Sequence, residues 1–86
     1  MKHVITQEPY TADHSRTVRI LIDGYSRVTV SQELKSPVDF KPQAPSLHWS
    51  APGDVDADYA EAMADALRTG AEIFRMWEAE LMKTAA

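Results

Sequence analysis

The sequence predicts an α+β domain in which a three-stranded, mainly antiparallel sheet packs against one long C-terminal helix. Apolar and polar residues alternate through residues 16–31 and again through 46–50, which is the period-2 pattern of half-buried strands. Residues 56–83 instead place large apolar residues three or four positions apart, as an amphipathic helix does. The chain has 86 residues, so we expect one small domain with a thin core.

The N-terminal segment, residues 1–15, is expected to be an arm or an edge strand. Its stretch "HVIT" has strand character, and a strand there would be the fourth in the sheet. Pro9 and the polar residues that follow it instead favour a loop.

The stretch "DGYS" divides residues 16–31 into the two strands of a hairpin. A two-residue Asp-Gly loop would set Ile20 opposite Arg27, so that an apolar and a charged residue share one face. A three-residue loop would set Ile20 opposite Val28 and keep the apolar residues together. We therefore expect a loop of three or five residues.

Residues 36–46 hold three prolines, so we expect an extended connector between the hairpin and the next strand. Its two large apolar residues, Val38 and Phe40, are expected to enter the core as the connector passes it. The last two prolines match the spacing of a PxxP ligand, although a stiff loop explains the same residues.

The stretch "SLHWS" predicts a strand in which Leu47 and Trp49 face the core. His48 and Ser50 share the opposite face and, with Asp54, have the residue types of a hydrolase triad. Two positions along a strand separate their Cα atoms by about 6.5 Å, and no Gly-x-Ser-x-Gly motif surrounds the serine. We therefore expect no catalytic residues here.

The helix pattern of residues 56–83 is the strongest in the chain. The stripe that should face the sheet consists of Tyr59, Met63, Leu67, Gly70, Phe74, Trp77 and Leu81. Asp56 is the expected N-cap, because its carboxylate can accept a hydrogen bond from an amide of the first turn. Gly70 interrupts the stripe of large residues, which predicts a close approach of helix and sheet.

The charge of the chain is divided unevenly. Residues 1–53 carry six Lys and Arg against five Asp and Glu, a balance of +1, whereas residues 54–86 carry three against eight, a balance of −5. A chain of this kind has little general affinity for nucleic acid, since such binding depends on neutralising phosphates. It fits a partner that has a basic surface.

Several classes of site are not expected. The chain has no cysteine, no apolar run long enough to cross a bilayer and no secretory signal, so we expect a cytoplasmic protein without disulfides. We expect no metal and no cofactor. The three histidines are scattered, and Asp54, Asp56 and Asp58 lack the glycine and the final glutamate of a calcium loop.

The run "LHWSAPGDVDADYAEAMADAL" resembles a pattern in small uncharacterised proteins of bacteria and their phages. In those proteins a short strand ending in Trp-Ser-Ala leads through Gly and Val into an Ala-rich helix. The resemblance covers roughly residues 47–81 and implies the same strand, turn and helix. It implies no activity.

The first functional hypothesis is a non-enzymatic protein-binding module, phage-encoded and acting on a host protein. The helix is about 40 Å long and the strands span about 20–23 Å, so its C-terminal half should overshoot the sheet. Its apolar residues then need a cover, which the N-terminal arm and the connector could provide, as could another protein or a second copy of the chain. The candidate contact residues are Phe74, Trp77 and Leu81, with the acidic residues Asp58, Glu61, Asp65 and Glu72.

The alternative is a small nucleic-acid-binding regulator that uses the outer face of the hairpin. Arg19 and Arg27 project from that face, and Arg16 stands at the start of its first strand. The few cations and the acidic helix make nucleic acid the less favoured partner. A third hypothesis is an enzyme whose site forms only where chains of an oligomer meet.

Overall fold

The computed structural model describes residues 3–85, with side chains through Lys83, so residues 1, 2 and 86 of the predicted domain lie outside it. It shows four strands and one helix in an α+β arrangement. The strands are β1 (Ile5–Ala12), β2 (Ser15–Ile22), β3 (Ser26–Glu33) and β4 (Ser46–Ser50), and the helix α1 is Ala57–Ala85. All neighbouring strands are antiparallel, in the order β1-β2-β3-β4. The predicted three strands and helix are present, and the additional N-terminal strand forms as well.

β1 is an edge strand that includes Pro9, so the prediction of a loop at this proline is wrong. Asp23 N donates to Val4 O (2.8 Å), which makes that pair a hydrogen-bonded one. Hydrogen-bonded and non-hydrogen-bonded residue pairs alternate along an antiparallel ladder. Pro9 lies opposite Val18 and five positions after Val4, so its pair is one without hydrogen bonds. Its nitrogen points away from the sheet, and the missing N–H therefore costs no ladder bond.

The hairpin between β2 and β3 has the predicted three-residue loop. Ile20 lies opposite Val28, and Ile22 lies opposite Ser26. Asp23 and Gly24 both have positive φ, at 52° and 70°, which is the conformation of a type I′ turn. The hydrogen bond from Tyr25 N to Ile22 O (2.9 Å) closes that turn. The remaining loop residue, Tyr25, restores the register that keeps the apolar side chains on one face.

The core lies between one face of the sheet and α1. Its buried residues are Ile20, Ile22, Val28, Ala62, Met63 and Ala66, with Val18, Leu47, Tyr59, Leu67 and Ile73 packed around them. Gly70 stands where the two layers are closest. A Cβ atom at Gly70 would lie 2.9 Å from Val28 Cγ1 and 3.1 Å from Leu47 Cδ1, so the predicted close approach is confirmed.

The start of α1 agrees with the predicted N-cap. Tyr59 N donates to Asp56 Oδ1 (2.8 Å), and Ala60 N donates to Asp56 O (3.0 Å). The side chain therefore satisfies one of the amides that the first turn leaves without a helical partner.

Three predicted core residues are exposed. Val38 and Phe40 of the connector are 88% and 68% exposed, because the connector folds on itself through a bond from Phe40 N to Ser36 O (2.8 Å). Trp49 is 62% exposed although its Cβ points toward the helix side. α1 packs mainly over β2 and β3 and less closely over β4, so it leaves the side chain of Trp49 on this edge strand largely uncovered.

Candidate interaction surfaces

The C-terminal half of α1 is covered within the chain at its largest residue. Trp77 is only 7% exposed, and the Arg16 Cζ atom lies 4.2 Å from the centroid of its ring. Arg16 also donates from Nε to Gln32 Oε1 (2.9 Å) and from Nη2 to Glu80 Oε2 (2.7 Å). The predicted exposed aromatic surface therefore loses its central residue.

The cover does not come from the residues that the sequence suggested. Val4, Ile5 and Tyr10 of the N-terminal segment are themselves 62%, 39% and 67% exposed. A cation on β2 covers the ring instead, because the face of an indole attracts a guanidinium at this distance. Spacing along the chain cannot identify such a contact between residues 61 positions apart.

The four predicted acidic contact residues all lie on one flank of α1. Successive helical residues are turned by about 100°, which groups Asp58, Glu61, Asp65 and Glu72 within one sector of about 60°. All four side chains are exposed, and Asp65 pairs with Arg68 (2.7 Å). This acidic flank faces the β1 side of the sheet, since Arg16 of β2 reaches Glu80 on the same side of the helix.

The opposite flank of α1 carries no charged side chain between Tyr59 and Glu78. Its residues are Ala60, Leu67, Ala71 and Phe74, which fall within another sector of about 60°. This neutral flank is turned toward β4. Leu67 and Phe74 are half-buried, while Ala60 is exposed.

The Cβ atom of Trp49 points to the helix side of β4, the strand toward which that flank is turned. Together they form a surface, here called the β4–α1 surface, which consists of Leu47, Trp49, Ala60, Leu67, Ala71 and Phe74. Leu81, the remaining predicted apolar contact residue, is half-buried on the same side of α1, about two turns beyond Phe74. The sequence placed Trp49 in the core because period-2 alternation identifies the face of a strand but not whether the helix reaches over it.

The edge of β4 also presents unpaired backbone groups. Gln43 N donates to Glu33 O (2.8 Å), so Glu33 and the other odd-numbered residues of β3 turn their backbone toward β4. Their partners are the even-numbered residues of β4. The N–H and C=O groups of Leu47 and Trp49 therefore point outward, and no strand lies beyond them in residues 3–85.

The face of the sheet away from α1 carries two of the three predicted arginines. Arg19 and Arg27 belong to it and are exposed. Arg16 does not, because even-numbered residues of β2 face the helix, where it contacts Trp77. Glu8 lies directly across from Arg19 on β1 and offsets its charge. Nucleic-acid binding through this face stays a prediction. It has less support than the sequence alone indicated, because two arginines and not three lie on the face and one of them has a carboxylate across from it.

A polar cluster joins the N-terminal segment to the hairpin loop. His3 Nδ1 lies 2.6 Å from Asp23 Oδ2, and Val4 N donates to Asp23 Oδ1 (2.8 Å). These bonds hold the pKa of Asp23 below its ordinary value of 3.8, the Val4 amide contributing most and His3 next. The His3 ring also meets the ring of Tyr59 edge to face at 4.9 Å.

This cluster has the residue types of a catalytic site without its geometry. The serine closest to Asp23 in sequence, Ser26, is 1% exposed, and its Oγ accepts a hydrogen bond from the Tyr59 hydroxyl. Ser26 is therefore held by the Tyr59 phenol. Nucleophilic catalysis would instead require its hydrogen bond to go to the His3–Asp23 pair. The cluster fixes the start of β1 against the hairpin.

Other site classes find no support in the part of the chain that the structure describes. Within residues 3–85, no three His, Asp or Glu side chains gather closely enough to hold a metal ion. The helical residues described there do not form a segment both long and apolar enough to span a bilayer.

Comparison with known proteins gives no relative. The chain matches no protein-family model, and neither the curated proteins nor the solved structures include a significant match.

Proposed function

We propose that this protein is a non-enzymatic protein-binding module that binds its partner through the β4–α1 surface. The observation that carries the proposal is Trp49, whose side chain is 62% exposed on an open edge strand. Tryptophan is enriched among the residues that contribute most to protein–protein binding. Contiguous exposed apolar surface marks interaction sites, and the neutral flank of α1 adds the half-buried Leu67 and Phe74 on the side of the helix that is turned toward Trp49.

The backbone of β4 supports the same proposal. Leu47 and Trp49 offer outward N–H and C=O groups, to which an extended segment of a partner can add as a further strand. Their side chains point to the helix side, so a partner strand would also meet the apolar residues there. Main-chain bonds supply affinity in this mode of binding, and side-chain pockets supply specificity.

The proposal keeps part of the surface predicted from the sequence. Phe74 and Leu81 lie on the neutral flank and remain candidate contact residues. Trp77 does not, because Arg16 covers it. The acidic flank remains a second candidate contact region for a partner with a basic surface. The phage origin, the host target and the absence of enzymatic activity stay predictions.

A capture experiment with matched variants tests this function. Trp49→Lys places a charge on the β4–α1 surface, whereas Met76→Lys changes a side chain of nearly equal exposure (61%) on the acidic side of α1. Proteins captured from cells that encode the chain should be lost with Trp49→Lys and retained with Met76→Lys. Equal capture by both variants, or loss with Met76→Lys alone, would contradict binding through the β4–α1 surface.

A further inference from the structure

We propose that the occupant of the β4–α1 surface is a second copy of this chain, paired with the first through β4 about a two-fold axis at His48. The proposal rests on the protein-binding function above and names its partner. Four features support it: the backbone pattern of β4, the width of the space beside α1, the distribution of charge, and the blocked edge of β1.

The backbone pattern of β4 selects one register. In an antiparallel pair centred on His48, Leu47 of one chain lies opposite Trp49 of the other, and these outward groups form four hydrogen bonds. A pair centred on Leu47 would instead set Trp49 opposite Pro45, which has no N–H. A pair centred on Trp49 would set Leu47 opposite Ala51, which lies beyond the strand.

The space between the two helices suits the side chain of Trp49. α1 packs over β2, β3 and β4 and is therefore centred near β3. Three strand spacings separate β3 from its copy, which is about 14 Å, and each helix with its side chains is about 10 Å wide. A trough a few ångströms wide remains above the joined strands, and its floor carries Leu47 and Trp49 from both chains. The aromatic rings would fill it.

The charge distribution also permits self-association on this side. Each chain carries a net charge of −4, so two copies repel unless their acidic residues are kept apart. Pairing through β4 brings the neutral flanks of the two helices together. The acidic flanks, which carry Asp58, Glu61, Asp65 and Glu72, then lie on the outer sides of the dimer.

The other edge of the sheet is less suited to pairing. The outward backbone positions of β1 include Pro9, which supplies no donor and is a common device against strand addition. No proline occurs within β4. The two edges of one sheet therefore differ in a way that directs association to β4.

Sedimentation of the full chain over a range of concentrations tests the self-association. We expect a reversible monomer–dimer equilibrium, and Trp49→Lys should raise the dimer dissociation constant by at least about 30-fold, the loss typical of a hot-spot residue. Met76→Lys should leave that constant within about threefold. A wild-type chain that remains monomeric throughout would overturn the proposal.

Engineered cysteines test the register, because the chain contains none of its own. His48→Cys would place two thiols in directly opposite positions, with Cβ atoms about 4.5–5.5 Å apart, so a mild oxidant should cross-link it. Ser46→Cys would separate the thiols by about 13 Å and should not cross-link alone. A mixture of Ser46→Cys and Ser50→Cys chains should cross-link, since these positions face each other in this register.

The outcomes also separate this inference from the function on which it rests. Cross-linking of Ser46→Cys alone, with none in His48→Cys, would overturn the register and the two-fold pairing. A strictly monomeric chain that still loses a captured partner through Trp49→Lys would refute the second copy as occupant and leave the binding function standing. A monomeric chain with unchanged capture would refute both.

Discussion

Gly70 sets the distance between α1 and the sheet. A methyl group there would lie 2.9 Å from Val28 Cγ1, closer than side chains pack. Alanine favours helices over glycine by about 1 kcal/mol, but overpacking a core costs about 1–3 kcal/mol. We therefore expect Gly70→Ala to lower the free energy of unfolding by about 1 kcal/mol in urea denaturation.

Gly53 provides the matched control for that substitution. A Cβ atom added at Gly53 would meet nothing within 4 Å, and the residue has no positive φ, so Gly53→Ala should leave stability nearly unchanged or raise it slightly. If Gly70→Ala proved as stable as Gly53→Ala, the close packing of α1 against β3 and β4 would be contradicted.

Asp23 gives the N-terminal segment a pH-dependent attachment. Its pKa is lowered in the folded chain, chiefly by the Val4 amide and then by His3. The stabilisation is therefore complete above pH 3.8, the ordinary pKa of the group. It is lost as the pH falls through the lower pKa that Asp23 has in the folded chain. We expect Asp23→Asn, which tolerates the positive φ, to flatten this acid-induced loss.

The measurement is the urea midpoint of the wild type and of Asp23→Asn at a series of acidic pH values. The wild type should be the more stable of the two above the ordinary pKa, and the difference should shrink toward lower pH. Two curves that stay parallel through this range would contradict the role assigned to Asp23.

Most local structure could be predicted because nearby residues decide it. Neighbours in sequence, or the alternation and spacing within one element, are enough to predict three features. These are the N-cap at Asp56, the close approach of helix and sheet at Gly70, and the three-residue hairpin loop. Trp49 and Arg16 could not be placed in the same way. Their surroundings depend on how far α1 extends across the sheet, which no periodicity reports.

At the scale of secondary-structure elements, α1 is fastened near its C-terminal end by β2. Trp77 is buried there beneath Arg16, so it belongs to the folded core and not to a free surface. Truncating a buried tryptophan costs about 3–5 kcal/mol. Trp77→Ala should therefore lower the free energy of unfolding by that amount in urea denaturation.

The neighbouring exposed residue, Met76, serves as the comparison. Met76→Ala should change stability by no more than about 0.5 kcal/mol, as is usual for surface substitutions. A Trp77→Ala variant that is as stable as Met76→Ala, but fails to bind a partner, would instead favour the original assignment of Trp77 to an interface.

At the same scale, the two edge strands show why the site was only partly predictable. The sequence indicated β4 by its alternation but placed both of its apolar residues in the core. It left β1 undecided because Pro9 suggests a loop, and only the pairing register shows that this nitrogen points away from β2. Whether a strand lies at the edge or in the centre of a sheet depends on the arrangement of all its strands, which the sequence of one strand does not report.

At the scale of the whole molecule, the two sides of the helix divide the surface by charge. The acidic flank lies over the β1 side, and the neutral flank lies over β4 beside Trp49. The protein-binding surface that we propose therefore lies nearer the middle of the neutral flank than the surface predicted at the end of the helix. Phe74 is common to both versions.

Residue-resolved amide hydrogen exchange at high protein concentration tests the central claim most directly. The amides of Leu47 and Trp49 point outward from β4, and those of Gln7 and Thr11 point outward from β1 and serve as an internal reference. If a second copy occupies the β4 edge, the β4 amides should exchange more slowly as concentration rises, while the β1 amides remain unchanged. Equal and concentration-independent exchange at both edges would contradict the claim.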